Sequence, residues 1–478
     1  MKTDWLFKHA TVMDGSGTAA YIADVAVCGD RITGIAPVIK ANAQNVVDCR
    51  GRILTPGFID VHTHDDLTVI KRPDYIEKTS QGVTSVIAGN CGISAACAVV
   101  KDVVPDPLGL LGGRDEFCYP DFVSYRNAVN AATPSVNVAS LVGHTTLRNT
   151  CMDTLDGPAT AAQTAAMQHR LRQALEQGAL GLSTGLSYAS AVNASTEEVC
   201  ALAGLLTECG GLYATHLRTE YDSITDAMKE AFHIGRHAGV PVQISHLKCA
   251  GEKNWGRSGE ILSFMERHQQ HQDISCDAYP YRAGSSCLDL KQVTADYDIL
   301  VTWSSPHPDM AGKTLQDIAA LWHTGLHDAA ARLLPAGAIY FQMDEEDVRR
   351  VLAHPATMVG SDGLPCDPNP HPRLWGTFPR ILGFYARDER LFPLTTAIHK
   401  MTGLSATRFG LAQRGFIREG FFADLVVFDP ETLRDTATFP VPKQQAEGID
   451  LVLVNGVLTF HEGQMTGHRA GRFLSRMS

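Results

Sequence analysis

The sequence predicts an α/β protein: a (β/α)8 barrel carrying insertions, joined to a small β domain that both chain ends build. Three observations predict it. Eight apolar or small-residue runs recur through the middle, each ending on a polar residue or Gly. Helical patterns closing on Gly lie between several of them. The first and last stretches share a rhythm of short β-branched runs that the middle lacks. Strands alternating with helices favour a parallel sheet. Eight such units over about 350 residues fit a barrel with additions.

The first segment, residues 4–55, reads as short strands: DWLFKHATVMDG, DVAVCGDRITGIA and NVVDCRGRILTPG, broken by Gly, Asp and Pro turn signals. ADLVVFDP and GIDLVLVNGVLTF near the other end look alike. The expected boundaries are 1–55 and 413–478 for the small β domain and 56–412 for the barrel. The eight runs are ILTPGFIDVHTH, TSVIAGNC, VNVASLVGH, ALGLSTG, LYATHLR, VPVQISHLK, ISCDAYPY and ATMVGSD. AAMQHRLRQALEQG and DSITDAMKEAFHIGRHAG are helical patterns, each closing on a Gly placed as a C-cap. The long connections are 92–128 and an insertion at 283–343; loops of that length tend to carry function.

Composition narrows the class. Hydrophobic residues make up 44% and charged residues 19% of 478, which describes a globular protein with a real core. A net charge of -11 argues against a nucleic-acid surface. No run of about 18 apolar residues exists to span a bilayer, and the first residues hold no apolar signal-peptide core. The twelve cysteines are scattered without a CxxC, so reduced thiols in the cytoplasm are expected.

In a barrel of this kind the active site lies at the C-terminal ends of the strands. What ends each run is therefore a test independent of any motif. The first ends in His62 and His64, the second in Cys91, the third in His144. The fourth ends in Ser183-Thr184-Gly185, the fifth in His216, the sixth in His246 with Lys248 two beyond. The seventh ends around Asp277, Tyr279 and Tyr281, the eighth in Asp362. Metal-ligand chemistry converges on one rim.

A lone HxH is weak evidence, but residues i and i+2 of a strand face one side, so His62 and His64 share the barrel mouth if either reaches it. Taken singly, His216 and His246 read as hydrogen-bonded core histidines; closing consecutive strands, they read as ligands. Cys91 beside four histidines reads as a thiolate, because zinc takes Cys and His and forces the thiol to ionise. Two metals close together need an anionic bridge. The fourth run offers no lysine for carboxylation, and Cys91 can supply the charge. Asp362, in VGSDG, can take a proton from a metal-activated water and pass it on; a turn aspartate before Gly363 is the bland alternative. His144 reads as a satisfied structural histidine, with a place behind the metal ligands as the alternative. Lys248 and Arg373 are candidate anion binders, set against surface charges. Tyr279 is either a hydroxyl donor or a core tyrosine.

Together the stretches PGFIDVHTHDD, GVTSVIAGNCGIS, LVGHTTLR, GALGLSTGL, YATHLR, ISHLKCAG, DAYPY, MVGSDGLP, HPRLWGTFPR and FADLVVFDP resemble the amidohydrolase superfamily, and within it the N-acyl-D-amino-acid deacylases, or D-aminoacylases. The resemblance runs from about Asp4 to near the C-terminus. It implies a distorted (β/α)8 TIM barrel with a small β-sandwich from both chain ends. It implies zinc held tightly by Cys91, His216 and His246, and a second, weaker position framed by His62 and His64, with Cys91 as the candidate bridge. Asp362 would act as base and then acid. Lys248, Tyr279 and Arg373 match positions that grip the substrate α-carboxylate; Ser285 and Tyr188 fall near pocket-lining positions.

The implied reaction is zinc-dependent hydrolysis of N-acyl-D-amino acids, small-molecule substrates, with acidic D-residues such as D-glutamate one candidate preference. Relatives that act on acidic substrates place an Arg in the loop after the seventh strand. Here Gln292 stands at that position with Lys291 beside it, and Lys291 either neutralises a substrate carboxylate or faces water. The rivals are a dihydropyrimidinase- or dihydroorotase-like amidase and a catalytically inactive scaffold. The missing fourth-strand lysine and the presence of GNCGIS weigh against the first, and the complete ligand set against the second.

Overall fold

The computed structural model describes residues 3–100 and 103–476. Its central unit is built from eight parallel strands: Phe58–Asp60 (β1), Val83–Ala88 (β2), Asn137–Ser140 continued by Val142–Gly143 (β3), Gly181–Gly185 (β4), Leu212–His216 (β5), Val242–Ile244 (β6), Ile274–Ala278 (β7) and Thr357–Val359 (β8). Each pairs with the next in chain order. The strands are buried on both faces, which is why they read as apolar runs rather than alternations. Ile59, Ile87, Ala139 and Met358 pack inside the ring, and Phe409 and Leu411 fill the same interior.

The ring is distorted at its seam. β8 and β1 share no continuous ladder. They meet through one parallel bridge, Thr63 to Gly363, and through two backbone hydrogen bonds: the Val61 N–H donates to the Val359 carbonyl at 3.5 Å and the Asp362 N–H to the His62 carbonyl at 2.8 Å. A buried ion cluster reinforces the join. Lys78 Nζ donates to Asp60 Oδ2 at 2.6 Å and to Ser361 Oγ at 2.8 Å, and the Ser361 N–H donates to Asp60 Oδ1 at 2.8 Å.

The expected helices are present. Ala161–Glu176 starts on a Thr160–Gln163 capping box. Ile224–Ala238 stops at Gly239, whose φ of 67° is the left-handed C-cap conformation glycine adopts freely.

The run ILTPGFIDVHTH is not one strand. It breaks at Gly57, where a Cβ would come within 2.1 Å of Thr84 Oγ1. Ile53–Pro56 before the break belongs to the small unit, and only Phe58–Asp60 enters the barrel. The small unit is one nine-stranded sheet. Its N-terminal strands, Thr3–Val12, Tyr21–Cys28, Arg31–Ala36, Ala43–Asp48 and Ile53–Pro56, join its C-terminal strands where Ile53–Pro56 pairs antiparallel with Leu425–Phe428. Phe7, Val25 and Leu54 from one end and Leu425, Val427 and Leu453 from the other share one core. The hairpin Ile449–Val454 to Val457–His461 turns on Asn455-Gly456, both at positive φ, as a two-residue hairpin turn requires.

The 283–343 connection is a small α/β body. Gly284–Cys287, Ala336–Tyr340 and Ile299–Ser304 form an antiparallel sheet in that order, and Leu288, Val301, Leu315 and Leu333 give it a core of its own.

Candidate active site and metal centre

The seam brings β1 and β8 together, so the residues just past their ends meet. His62 and His64 lie beyond β1 rather than within it, yet the i, i+2 relation holds. Their Nε2 atoms stand 3.5 and 3.2 Å from one oxygen of Asp362. Cys91 follows β2, with its Sγ 3.2 Å from His62 Nε2 and 3.4 Å from His246 Nε2. Two clusters of potential ligand atoms result, each within 4.8 Å: His62, His64, Cys91 and Asp362, and Cys91, His216 and His246. Cys91 belongs to both. All but His216 are buried. Cys91, His246 and Asp362 have φ of 51°, 35° and 50°, a conformation non-glycine residues rarely adopt and one that concentrates at functional sites.

The electrostatics suit a metal. Burial pushes the Cys91 thiol up, but the His62 and His246 imidazoles more than offset this and hold it well below the usual thiol range. Burial likewise raises Asp362, and Arg373 and then His62 pull it well below the carboxylate range. Arg373 lies 2.8 Å from the other Asp362 oxygen. For His64, burial lowers the pKa while the hydrogen bonds to Asp362 and Cys91 carry it up to about 9. Two buried imidazole nitrogens, His64 Nδ1 and His216 Nδ1, have no hydrogen-bond partner. A thiolate, four imidazoles and a carboxylate with orphaned nitrogens form a donor set that zinc takes.

A second layer of polar groups orients these candidate ligands. Asp277 Oδ1 stands 3.1 Å from His62 Nδ1 and accepts from the His246 N–H at 2.9 Å, while its Oδ2 accepts from Gln243 at 2.9 Å. Ser187 Oγ lies 2.8 Å from His216 Nε2. Glu220 Oε1 lies 2.9 Å from His246 Nδ1 and accepts from Lys248 Nζ at 2.5 Å. Sequence reasoning placed Asp277 at the end of the seventh run without giving it a role, and gave none to Gln243, Ser187 or Glu220. Asp277 could have been found, since it closes β7. Asp60 could too, since it stands two residues before His62 in the same run. Glu220 sits in a loop among ordinary polar residues and carries no signal.

Beside the clusters, the Tyr279 ring lies between two cations, with Arg373 4.5 Å and Lys248 5.8 Å from its centroid. Its hydroxyl is buried without a partner. Ser285, on the first strand of the insertion, accepts from Arg373 through its carbonyl at 3.0 Å, while its own Oγ is buried and unpartnered. The Tyr188 ring packs 4.9 Å from the His216 ring. These residues gather at one mouth. Lys291 stands apart. It is exposed, and it lines an outer cleft with Tyr221, Gln292 and Tyr297 that no metal-cluster residue lines. Of the two readings for Lys291, its exposure favours the one that faces water. His144 bonds Glu198 at 2.8 Å, as a structural histidine does.

The amidohydrolase family model matches residues 45–297 and 307–460 of this chain. The chain belongs to the amidohydrolase family. Among this amidohydrolase's relatives is the D-aminoacylase of Alcaligenes xylosoxydans xylosoxydans, 49% identical over 473 residues and covering 99% of this chain and 98% of that one. The N-acyl-D-aspartate and N-acyl-D-glutamate deacylases of the same organism are 46% and 44% identical, each covering 99% of this chain and 95% and 97% of theirs. A solved D-aminoacylase, described as having a binuclear metal centre with one-metal activation and second-metal attenuation, superposes with a TM-score of 0.97 at 48% identity, covering 99% of this chain and all of that one. The N-acyl-D-glutamate deacylase of Bordetella bronchiseptica, complexed with zinc and a phosphonate mimic of the tetrahedral intermediate, superposes at 0.96 with 43% identity over 99% of this chain and all of that one. A dihydropyrimidinase from Brevibacillus agri, at 16% identity and a TM-score of 0.62, shares the fold alone. No helix among the described residues is long and apolar enough to cross a membrane.

Proposed function

We propose that this amidohydrolase cleaves the amide bond of N-acyl-D-amino acids in a zinc-dependent reaction, releasing a carboxylic acid and a free D-amino acid. One observation carries the chemistry: Cys91 is common to two adjoining ligand clusters, and Asp362 is the carboxylate in one of them. The preference for D over L substrates rests on the names of the full-length relatives.

Cys91, His216 and His246 would hold the tight zinc, and His62 and His64, sharing Cys91, the weaker position. The chemistry supplied by zinc bound there is Lewis-acid polarisation of the amide carbonyl and a more acidic attacking water. Lys248, Tyr279 and Arg373 would receive the α-carboxylate, which fixes the amide against Asp362. Tyr188 and Ser285 would line the pocket around it. Asp362, held ionised, accepts the proton of water as its oxygen attacks the carbonyl carbon. The same proton then passes to the amide nitrogen as the C–N bond breaks. General acid–base help of this kind is worth about 10²–10⁴ in rate. Residues 56–412 would form the catalytic domain, and 1–55 with 413–478 the small one. The twelve cysteines are scattered without a CxxC, which suits a reducing cytoplasm.

The test is amine release from paired N-acetyl-D- and N-acetyl-L-amino acids carrying acidic and apolar side chains, with zinc assayed on the same preparation. Release from D-substrates alone is expected. Equal release from both enantiomers, or none with zinc bound, would overturn the proposal.

A further inference from the structure

Glu220 lies four residues past the end of β5, in a loop, and is 8% exposed. One of its oxygens, Oε1, serves two partners: His246 Nδ1 at 2.9 Å and Lys248 Nζ at 2.5 Å. Nζ and Nδ1 are themselves 2.8 Å apart. An ammonium cannot donate to a nitrogen that already carries a hydrogen, so the carboxylate is what lets the two nitrogens share this space. It accepts the Nδ1 hydrogen, which leaves His246 Nε2, 3.4 Å from Cys91 Sγ, as the free ligand atom. It also cancels a positive charge that would otherwise stand against a metal-holding imidazole.

The loop is held on both flanks. The Ala250 N–H donates to the Glu220 carbonyl at 2.9 Å. The Tyr221 hydroxyl donates to Gln342 Oε1, across in the insertion, at 2.8 Å.

We infer that Glu220 is a positioning residue that couples the two halves of the site: it fixes His246 for zinc and, through the same oxygen, holds Lys248 for the substrate carboxylate. This rests on the roles proposed above for His246 and Lys248.

Three variants test it, with zinc affinity read by competition against a chromogenic chelator and KM and kcat read on an N-acetyl-D-amino acid. Glu220→Gln keeps size and a hydrogen-bond acceptor but loses the charge; zinc should bind about 10- to 100-fold more weakly and KM should rise. Lys248→Met should leave zinc affinity near the parent's and raise KM roughly tenfold or more. The double variant removes both charges. Its zinc affinity should return toward the parent's while its KM stays that of Lys248→Met. A merely structural role would leave the double variant no better than Glu220→Gln, and that result overturns the inference, as does parental zinc affinity in Glu220→Gln. Should Glu220→Gln fail to fold, the double variant decides, because its neutral pair is matched: it must fold and hold zinc. A parent protein that holds no zinc would overturn the metal-site reading, and this inference with it.

Discussion

Asp362 is the carboxylate on which the proposed chemistry turns, and its surroundings say which form it takes. Arg373 at 2.8 Å and the two histidines keep it ionised, so it begins as a base. Replacing it with Asn keeps the size and removes the base. Asp362→Asn should lose at least about 10²-fold in kcat, with zinc content near the parent's by atomic absorption; normal turnover would refute its role. That these side chains gather in one place was legible in the sequence because strand-end position and side-chain chemistry coincide: His62, Cys91, His216, His246 and Asp362 each close a run. The ligands' own partners were less legible. Glu220 reaches His246 from a loop, and no periodicity points a loop carboxylate at a particular imidazole.

At the scale of elements, the seam between β1 and β8 depends on Lys78 more than on backbone pairing. Lys78, Asp60 and Asp65 are fully buried. Burial alone would lower the Lys78 pKa, and Asp60 and Asp65 outweigh it and keep the ammonium charged. Lys78→Met strands two carboxylates in the interior, and breaking a buried pair in this way costs about 3–5 kcal/mol. A loss of that size is expected in urea unfolding. Loss of activity should accompany it, since the same seam sets His62 against Asp362.

At the other end of β8, Lys400, in the helix Leu394–Met401, donates to the carbonyls of His354 and Thr357. Burial, only partly countered by Cys276, pulls its pKa down from 10.5 to about 8. The unfolded chain keeps this proton up to about 10.5, while the folded protein releases it near 8. Between those values the unfolded state binds more protons, so this residue's contribution to stability rises with pH, at up to about 1.4 kcal/mol per pH unit. Urea unfolding of the parent and of Lys400→Met at pH 7.5 and 9 should differ in slope by that sign. Buried thiols such as Cys249, which burial pushes up to about 12, act oppositely above pH 9, and the difference between the two proteins removes them.

The strands and helices were largely legible from the sequence as elements, although ILTPGFIDVHTH read as a single run. Pro56-Gly57 looks like a turn inside one run, yet Ile53–Pro56 pairs with Leu425–Phe428 and Phe58–Asp60 with Val83–Ala88. The insertion was readable as a long connection, yet its own sheet and core were hidden, because its strands pair antiparallel out of the rhythm of the barrel.

In the whole molecule the two chain ends hold each other. Ile53–Pro56 has Thr3–Val12 on one side and Leu425–Phe428 on the other. Arg472 bonds Asp30 at 2.7 Å, and Arg31 bonds Gln413 at 2.6 Å. A chain ended at residue 424 would leave Ile53–Pro56 as an open edge with an apolar face, the kind of surface that pairs with other chains. Such a truncation should aggregate in size-exclusion chromatography, while the full chain elutes as a defined species. The likeness of the two ends was visible in their shared rhythm of β-branched runs. That both ends build one β domain was read from that rhythm; which two strands would join them was not, because strand pairing across about 370 residues leaves no mark on either partner.

That pairing bears on how the protein is born. The N-terminal strands leave the ribosome first, and their partners leave last. At about 5–20 residues per second, Ile53–Pro56 waits tens of seconds for Leu425–Phe428 to emerge. For that interval the nascent chain carries a half-made sheet, and the barrel can close before its neighbour is complete. Codon choice and chaperone supply during synthesis therefore act on the interval in which that half-made sheet lies open.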